Sequence, residues 1–283
     1  MPEGPEVESV RRELLQFKDQ IIRKITLTEL SQKYPKYQGK ETEFRVFESK
    51  SIQNISRFNK FLVWEFEIAP VILNHLGMSG KWVIIDSLEA LQESCTHPKV
   101  VIELKDSKAL IFDDIRNFGQ FRILSSLEDV MHYKPIKTLG IDGLGSNYSI
   151  ELFLDKFSEK RFQDRILGEL LMDPRLVSGI GNIYKAEILF EAKIHPERKV
   201  SSLTEEEKTI LGLSIPKILL QALNDKGSSF DARYILPSGE NGQAQRWHKV
   251  YQRKGQQCLI CASKIDKLTQ KARSTYYCKK CQK

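Results

Sequence analysis

Four of the five cysteines in this 283-residue chain form two close pairs near its end, Cys258-x2-Cys261 and Cys278-x2-Cys281, with sixteen residues between the pairs. Two such knuckles present four thiolates to one tetrahedral zinc ion, and four thiolates leave no open coordination position for catalysis. A segment this short cannot hold a core of its own, so it has to fold as a hairpin on the metal. Disulfides are the weaker reading, because the chain lacks a signal-type apolar run and any 18-residue apolar stretch, which predicts a cytoplasmic protein that spans no membrane. The same segment is strongly cationic. From His248 to Lys283 there are ten Lys and Arg against the single acid Asp266, a local balance of +9 in a chain of net charge +7. A cationic module on a slightly acidic body predicts a polyanionic partner, nucleic acid above all. Cys95 stands apart and reads as a buried or inert thiol.

The opposite end reads Met1-Pro2-Glu3-Gly4-Pro5-Glu6. Removal of Met1 would leave the secondary amine of Pro2 at the terminus, and such an amine titrates near about pH 8. A useful fraction is then an uncharged nucleophile able to form Schiff bases, with Glu3 one residue away to shuttle protons. The plainer reading is a turn into a helix, with Pro5 at its first position.

Between these ends the periodicity changes once. Val7, Val10, Leu14 and Phe17 recur at helical spacing, which predicts a helix over 5–17 that docks on a sheet. Short strand-like runs follow at 21–27, 45–47, 51–56, 61–66, 71–74, 82–85, 100–104, 109–112 and 120–124. Their close spacing predicts an antiparallel sandwich or barrel. Residues 131–149 carry Pro135, Gly140, Gly143 and Gly145 without periodicity and read as a linker. Helices are then expected over 150–157, 166–172 and 182–192. Thr204 and Glu207 form a capping box opening another, which Pro216 is expected to kink or split. The fold class is therefore α+β. The domains run over 1–132, a 133–148 linker, a helical 149–246 and a zinc hairpin at 247–283. The turn Val177-Ser178-Gly179-Ile180-Gly181-Asn182 is either a plain glycine turn or a phosphate site, since the following helix offers N–H groups to an anion.

An N-terminal Pro-Glu, a glycine-bearing helix–turn–helix and a basic zinc hairpin, in that order, resemble the formamidopyrimidine-DNA glycosylase/endonuclease VIII family over nearly the whole chain. The resemblance implies a bifunctional DNA glycosylase and AP lyase of base excision repair. Its fold would be an N-terminal catalytic β-sandwich, a helix-two-turn-helix domain and a zinc-ribbon hairpin. Pro2 would be the nucleophile and Glu3 the acid/base. Lys60, in Arg57-Phe58-Asn59-Lys60, would act in β-elimination, and Arg273 would grip phosphates in δ-elimination. An extruded base leaves a hole in the stack. The resemblance implies that Met78 of His75-Leu76-Gly77-Met78 fills it together with Arg116 and Phe118 of Asp114-Ile115-Arg116-Asn117-Phe118. Without the other motifs, Met78 and Phe118 would read as core, Arg116 as a turn arginine and Lys60 as a solvated strand lysine. Asn182 and His97 would contact DNA. Segment 236–245 would lie over the extruded base or be a surface loop. One structural zinc on Cys258, Cys261, Cys278 and Cys281 is implied, with damaged double-stranded DNA as partner, a monomeric state and no nucleotide cofactor.

Several positions depart from the family's pattern. The Pro-Glu-Gly-Pro start is common in the endonuclease VIII branch, which prefers oxidised pyrimidines. The His-Leu-Gly-Met motif and the Arg116/Phe118 pair instead resemble the formamidopyrimidine branch, which prefers 8-oxoguanine opposite cytosine and ring-opened purines. The void-filling residues touch the opposite base, so the second branch is expected. His97 is followed by Pro98-Lys99 where Asp-His is usual. Gly168 stands where a phosphate-gripping lysine is common, with Arg161 and Arg165 near in sequence, and Ala272 stands where glycine often precedes the hairpin arginine.

Overall fold

The computed structural model describes residues 1–37, 41–67, 70–230 and 234–283. They form two compact units, one of Met1–Pro2, Glu6–Lys137 and Lys226–Gln243, the other of Glu3–Pro5, Thr138–Asp225 and Ala244–Lys283.

In the first unit the period-2 runs become eight strands: β1 (Ile22–Leu27), β2 (Ile52–Phe58), β3 (Phe61–Phe66), β4 (Val71–His75), β5 (Lys81–Ile85), β6 (Pro98–Leu104), β7 (Ala109–Asp113) and β8 (Gln120–Leu124). They build two antiparallel four-stranded sheets, ordered β1-β6-β7-β5 and β2-β3-β4-β8. Inward side chains of both sheets, among them Ile25, Trp64, Trp82, Phe112 and Phe121, share one core. Helix α1 (Gly4–Leu14) lays Val7, Val10 and Leu14 on that core. The expected strand at 45–47 is instead a 3-10 turn, Arg45–Phe47. Phe44 and Phe47 are buried three residues apart while Val46 is 43% exposed, and that spacing suits a helical turn rather than a strand. Every residue of β7 is buried, because Cys95, Ile85 and Val101 cover its outer face in a second small core. Cys95 is thus a packing residue. Burial, with Asp113 adding to it, pushes its thiol up to about 11, which keeps it a protonated, unreactive group.

The second unit carries α2 (Ile150–Phe157), α3 (Leu167–Leu170), α4 (Asn182–Glu191) and α5 (Glu205–Asn224) around one apolar core. Residues 131–149 hold a helical turn at Lys134–Lys137 and the strand β9 (Ile141–Asp142). β9 pairs in parallel with β10 (Val177–Ser178), inside the glycine-bearing turn. Two-residue strands carry no readable periodicity, which is why the sequence did not announce them. The Thr204–Glu207 capping box forms. The expected split at Pro216 does not occur, since α5 runs unbroken through it. Proline lacks the N–H that would bond the carbonyl four residues back. That carbonyl belongs to Gly212, and the Tyr148 hydroxyl donates to it at 2.7 Å. A third cluster joins Ala186 and Phe190 of α4 to Val250, Ile265, Cys258 and Cys278. Beyond it, β11 (Asp266–Gln270) and β12 (Arg273–Tyr277) form the basic hairpin.

Tyr148→Phe should strand the buried Gly212 carbonyl and cost about 1–2 kcal/mol. Urea unfolding of the two proteins reads this directly, and equal stabilities would remove Tyr148 as the reason α5 tolerates Pro216.

Candidate active site

Glu3 is a buried carboxylate with no charged partner beside it in sequence, and its position explains the glycine-bearing turn. Its oxygens accept the N–H groups of Gly181 (2.8 Å), Ile183 (2.9 Å) and Tyr184 (3.3 Å) at the start of α4. The anion at this helix N-terminus is therefore supplied by the chain itself, and those three donors are not left for a phosphate. Both glycines of the turn are explained by proximity. A Cβ at Gly181 would lie 2.3 Å from the Glu3 carboxyl carbon, and Gly179 sits at φ +95° where its carbonyl accepts from Gly4 N–H at 2.7 Å. Pro2, buried like Glu3, is thereby tethered through its neighbour.

The other face of α4 holds the hairpin. Asn182 Nδ2 donates to the Ser274 carbonyl at 2.9 Å, one residue after Arg273. The Lys271-Ala272 turn has φ of 44° and 60°, the two left-handed residues of a type I′ hairpin. Exposed Arg273 leaves this turn into an open hollow of about 330 Å³, lined also by Arg165, Arg175, Asp173 and Gln270. Arg165 and Arg175 share Asp173 as ion-pair partner, at 2.8 and 2.6 Å, which leaves the trio with one net positive charge. Their guanidinium donors hold the Asp173 carboxyl far below its usual value.

In the first unit, Met78, Arg116, Phe118 and His97 gather around a fully buried acid, Asp114. One carboxylate oxygen accepts from Ser79 Oγ (2.7 Å) and the Arg116 N–H (3.3 Å). The other accepts from Tyr37 Oη (2.8 Å) and the Gly119 N–H (2.7 Å). The Asp114 N–H donates to the His97 carbonyl at 3.1 Å. Met78 lies between Gly77 and Ser79, and both press on the Arg116 loop: a Cβ at Gly77 would meet the Phe118 backbone at 2.4 Å. Phe118 is 43% exposed rather than core, with the Arg116 guanidinium 5.2 Å and Lys36 Nζ 5.4 Å from its ring centroid.

Lys60 sits in the two-residue turn joining β2 to β3, after Asn59 at φ 58°, and not on a strand as expected. It acts with Lys36 on His75, whose Nδ1 accepts the Gly77 N–H at 2.9 Å. Burial first, then the charges of Lys60 and Lys36, push the His75 pKa down to about 4. His75 is therefore a neutral prop beneath the Met78 loop. In segment 236–245, Leu236 is buried in the first core and the Ser238 N–H donates to Glu13 at 2.9 Å, while 238–241 are exposed. Sequence reasoning missed Asp114, Lys36 and Lys185. An Asp opening the Arg116 motif was a readable sign of a loop-organising acid; the two lysines gave none.

Cys258, Cys261, Cys278 and Cys281 converge with their sulfurs all within 4.8 Å. The Cys258–Cys281 and Cys261–Cys278 sulfurs stand 3.8 and 3.5 Å apart. A tetrahedron of thiolates on zinc spaces its sulfurs by about 3.8 Å, nearly twice a disulfide bond. The four residues fit a zinc site. Each knuckle is shaped by its own backbone, with Ala262 N–H returning to the Cys258 carbonyl and Gln282 N–H to that of Cys278, both at 2.9 Å. Among the described residues no helix is long and apolar enough to cross a membrane.

Residues 1–121 match the model of the formamidopyrimidine-DNA glycosylase N-terminal domain, and residues 139–233 that of the formamidopyrimidine-DNA glycosylase H2TH domain. The chain is 32% identical to the formamidopyrimidine-DNA glycosylase of Shouchella clausii over 286 residues, covering 100% of this chain and 99% of that one. A Lactococcus lactis Fpg variant bound to Fapy-dG-containing DNA superposes with a TM-score of 0.87 at 33% identity, over 99% of both chains. The wild-type Lactococcus lactis Fpg bound to DNA containing an oxidised pyrimidine gives 0.86 at 32%, again over 99% of each.

The His75 prop yields a pH dependence. The unfolded chain takes up this proton near pH 6.5 and the folded one only near about 4, so stability is lost as pH falls through that window. Relative to His75→Gln, the wild type should lose about 2 kcal/mol between pH 7.5 and 5. Urea unfolding at the two pH values measures the difference, and parallel losses in both proteins would refute the prop.

Proposed function

This chain belongs to the formamidopyrimidine-DNA glycosylase family, and we propose that it excises oxidised purines, 8-oxoguanine and formamidopyrimidines, from double-stranded DNA. It is a DNA glycosylase with AP lyase activity in base excision repair. One observation carries the residue assignment: an acid is buried on three backbone N–H groups one residue from Pro2. Packing alone gives no reason to bury a carboxylate there, and an acid held beside a terminal amine is what Schiff-base chemistry requires.

With Met1 removed, the Pro2 nitrogen attacks C1′, the base departs with a proton relayed through Glu3, and an iminium joins Pro2 to the opened sugar. Loss of the C2′ proton expels the 3′-phosphate, and loss of the C4′ proton then expels the 5′-phosphate. Lys60 assists the first elimination, and Arg273 stabilises the departing phosphate as a bidentate donor. Arg116 faces the base left opposite, Met78 and Phe118 fill the vacated stack, and Asn182 and His97 contact the strand. Segment 236–245 covers the extruded base. One zinc, held by Cys258, Cys261, Cys278 and Cys281, supplies rigidity to the hairpin and no open coordination position for the reaction. We read the enzyme as a cytoplasmic monomer that uses no nucleotide cofactor. A second reading, oxidised-pyrimidine removal, draws on the Lactococcus lactis complex with oxidised-pyrimidine DNA.

Borohydride trapping on an 8-oxoguanine:cytosine duplex should give a covalent adduct that is lost in Pro2→Gly and in a form retaining Met1. An adduct confined to a thymine glycol duplex would transfer the enzyme to pyrimidine lesions, and none on either would end the catalytic assignment. Cys261→Ser should lose the metal, disorder the hairpin around Arg273 and weaken duplex binding by at least about tenfold at low salt. Full binding by a zinc-free protein would contradict the structural role of the metal.

A further inference from the structure

Lys185 lies in the first turns of α4 and is 0% exposed, an uncommon place for an ammonium. Its Nζ donates to Asn182 Oδ1 at 2.9 Å and to Thr275 Oγ1 on β12 at 2.7 Å. The Thr275 hydroxyl passes its own proton to Gln270 Oε1 at 2.7 Å, and Gln270 Nε2 donates to the Pro196 carbonyl at 3.0 Å. The lysine thus fixes the Asn182 amide. Its oxygen must face Nζ, which turns Nδ2 toward the Ser274 carbonyl, the peptide group next to Arg273. One ammonium therefore ties the helix that seats Glu3 to both strands of the hairpin that presents Arg273.

We propose that Lys185 is a positioning residue of the lyase reaction, whose charged link between α4 and β12 sets the stance of Arg273 for expulsion of the 5′-phosphate. The proposal rests on the function read above, in which Arg273 meets the phosphate leaving C5′ as the C4′ proton is lost. The step needs no oxidant or co-reactant, only a base and a cation placed at the leaving oxygen. A small displacement of a guanidinium from that oxygen lowers the rate steeply.

The charged groups facing Lys185 are Glu3 and Glu169, which favour its ammonium, and Arg273, which opposes it; Tyr251 lies beside Glu3 and Asn182. Burial dominates and lowers its pKa to about 8. The link is therefore charged near neutrality and discharges just above it. The second elimination starts from the unsaturated iminium that the first leaves on Pro2, so the ratio of β,δ product to β-only product is set after Pro2 has attacked and cancels its titration.

The test uses the full-length protein on a duplex with a preformed abasic site, measuring that ratio from pH 7 to 9 together with zinc content. In the wild type the ratio should fall as pH rises through about 8. Lys185→Met and Thr275→Val should retain zinc and β-elimination while the ratio at pH 7 drops by roughly tenfold. Lys185→Met should also lose the pH dependence. An unchanged ratio in Thr275→Val, a fall only where zinc is lost, or a pH-independent wild type overturns the proposal. Absence of any wild-type cleavage would instead bring down the lyase function on which it rests.

Discussion

A buried carboxylate that accepts backbone N–H groups is the interaction on which both units depend. Taking such a charge from water is costly unless donors replace the lost hydration, and charge-assisted N–H bonds do so well. Glu3 is the leading case. By occupying the N-terminus of α4 it fastens the first residues of the chain onto a helix whose own sequence supplies no side-chain cap at Gly181. Glu187, on the same helix, accepts from Lys249, Val250 and Tyr251 N–H at 2.8 to 3.0 Å and so anchors the segment leading into the cysteine-bearing hairpin. One helix thus orders both segments, Glu3 binding its N-terminal N–H groups and Glu187 projecting from its side. In the first unit Asp114 does the same for the Met78 and Arg116 loops, and Glu6 accepts from Ser228 N–H to hold Ser228 on α1.

This division of labour separates what holds the fold from what faces the substrate. The acids that organise loops are buried, whereas Arg116, Phe118 and Arg273 are exposed. Backbone N–H groups, which no substitution other than proline can delete, donate most of these bonds. The exposed side chains are then free to meet another molecule without being needed for the fold. Neutral His75 follows the same logic. Its ring accepts one loop N–H, and burial, with the lysines around it adding to it, keeps that nitrogen unprotonated at physiological pH.

The strands were legible because one face of each is buried, so alternation shows in the residues themselves. The stretch at 45–47 misled because Phe44, Val46 and Phe47 suit either period, and only burial distinguishes them. Pro216 misled for a different reason. The carbonyl it leaves unbonded receives a hydroxyl from Tyr148, far away in the chain, which no local pattern announces. The four cysteines were legible because metal geometry dictates their spacing. Asp114 and Lys185 were not, because an isolated charged residue inside an apolar run looks the same whether it is solvated or buried on distant partners. The glycine-bearing turn was half legible: an anion at its helix was foreseen, but nothing local said that the anion would be Glu3.

Gly168 shows how such long-range coupling governs the departures seen in the hairpin region. A Cβ there would lie 2.0 Å from Gln270 Oε1, so no side chain, lysine included, fits while Gln270 keeps its place. Gln270 in turn is held by the Pro196 carbonyl and orients the Thr275 hydroxyl that receives Lys185. Gly168 and Lys185 are therefore two ends of a single packed arrangement, whose positive charge sits on the buried Lys185. The cost falls on desolvation of Lys185, which the nearby carboxylates of Glu3 and Glu169 partly offset. An arrangement of this kind resists piecemeal change: a side chain at 168 has to displace Gln270 first, and displacing Gln270 unseats Thr275 and with it the side-chain link from the hairpin strand to the buried ammonium.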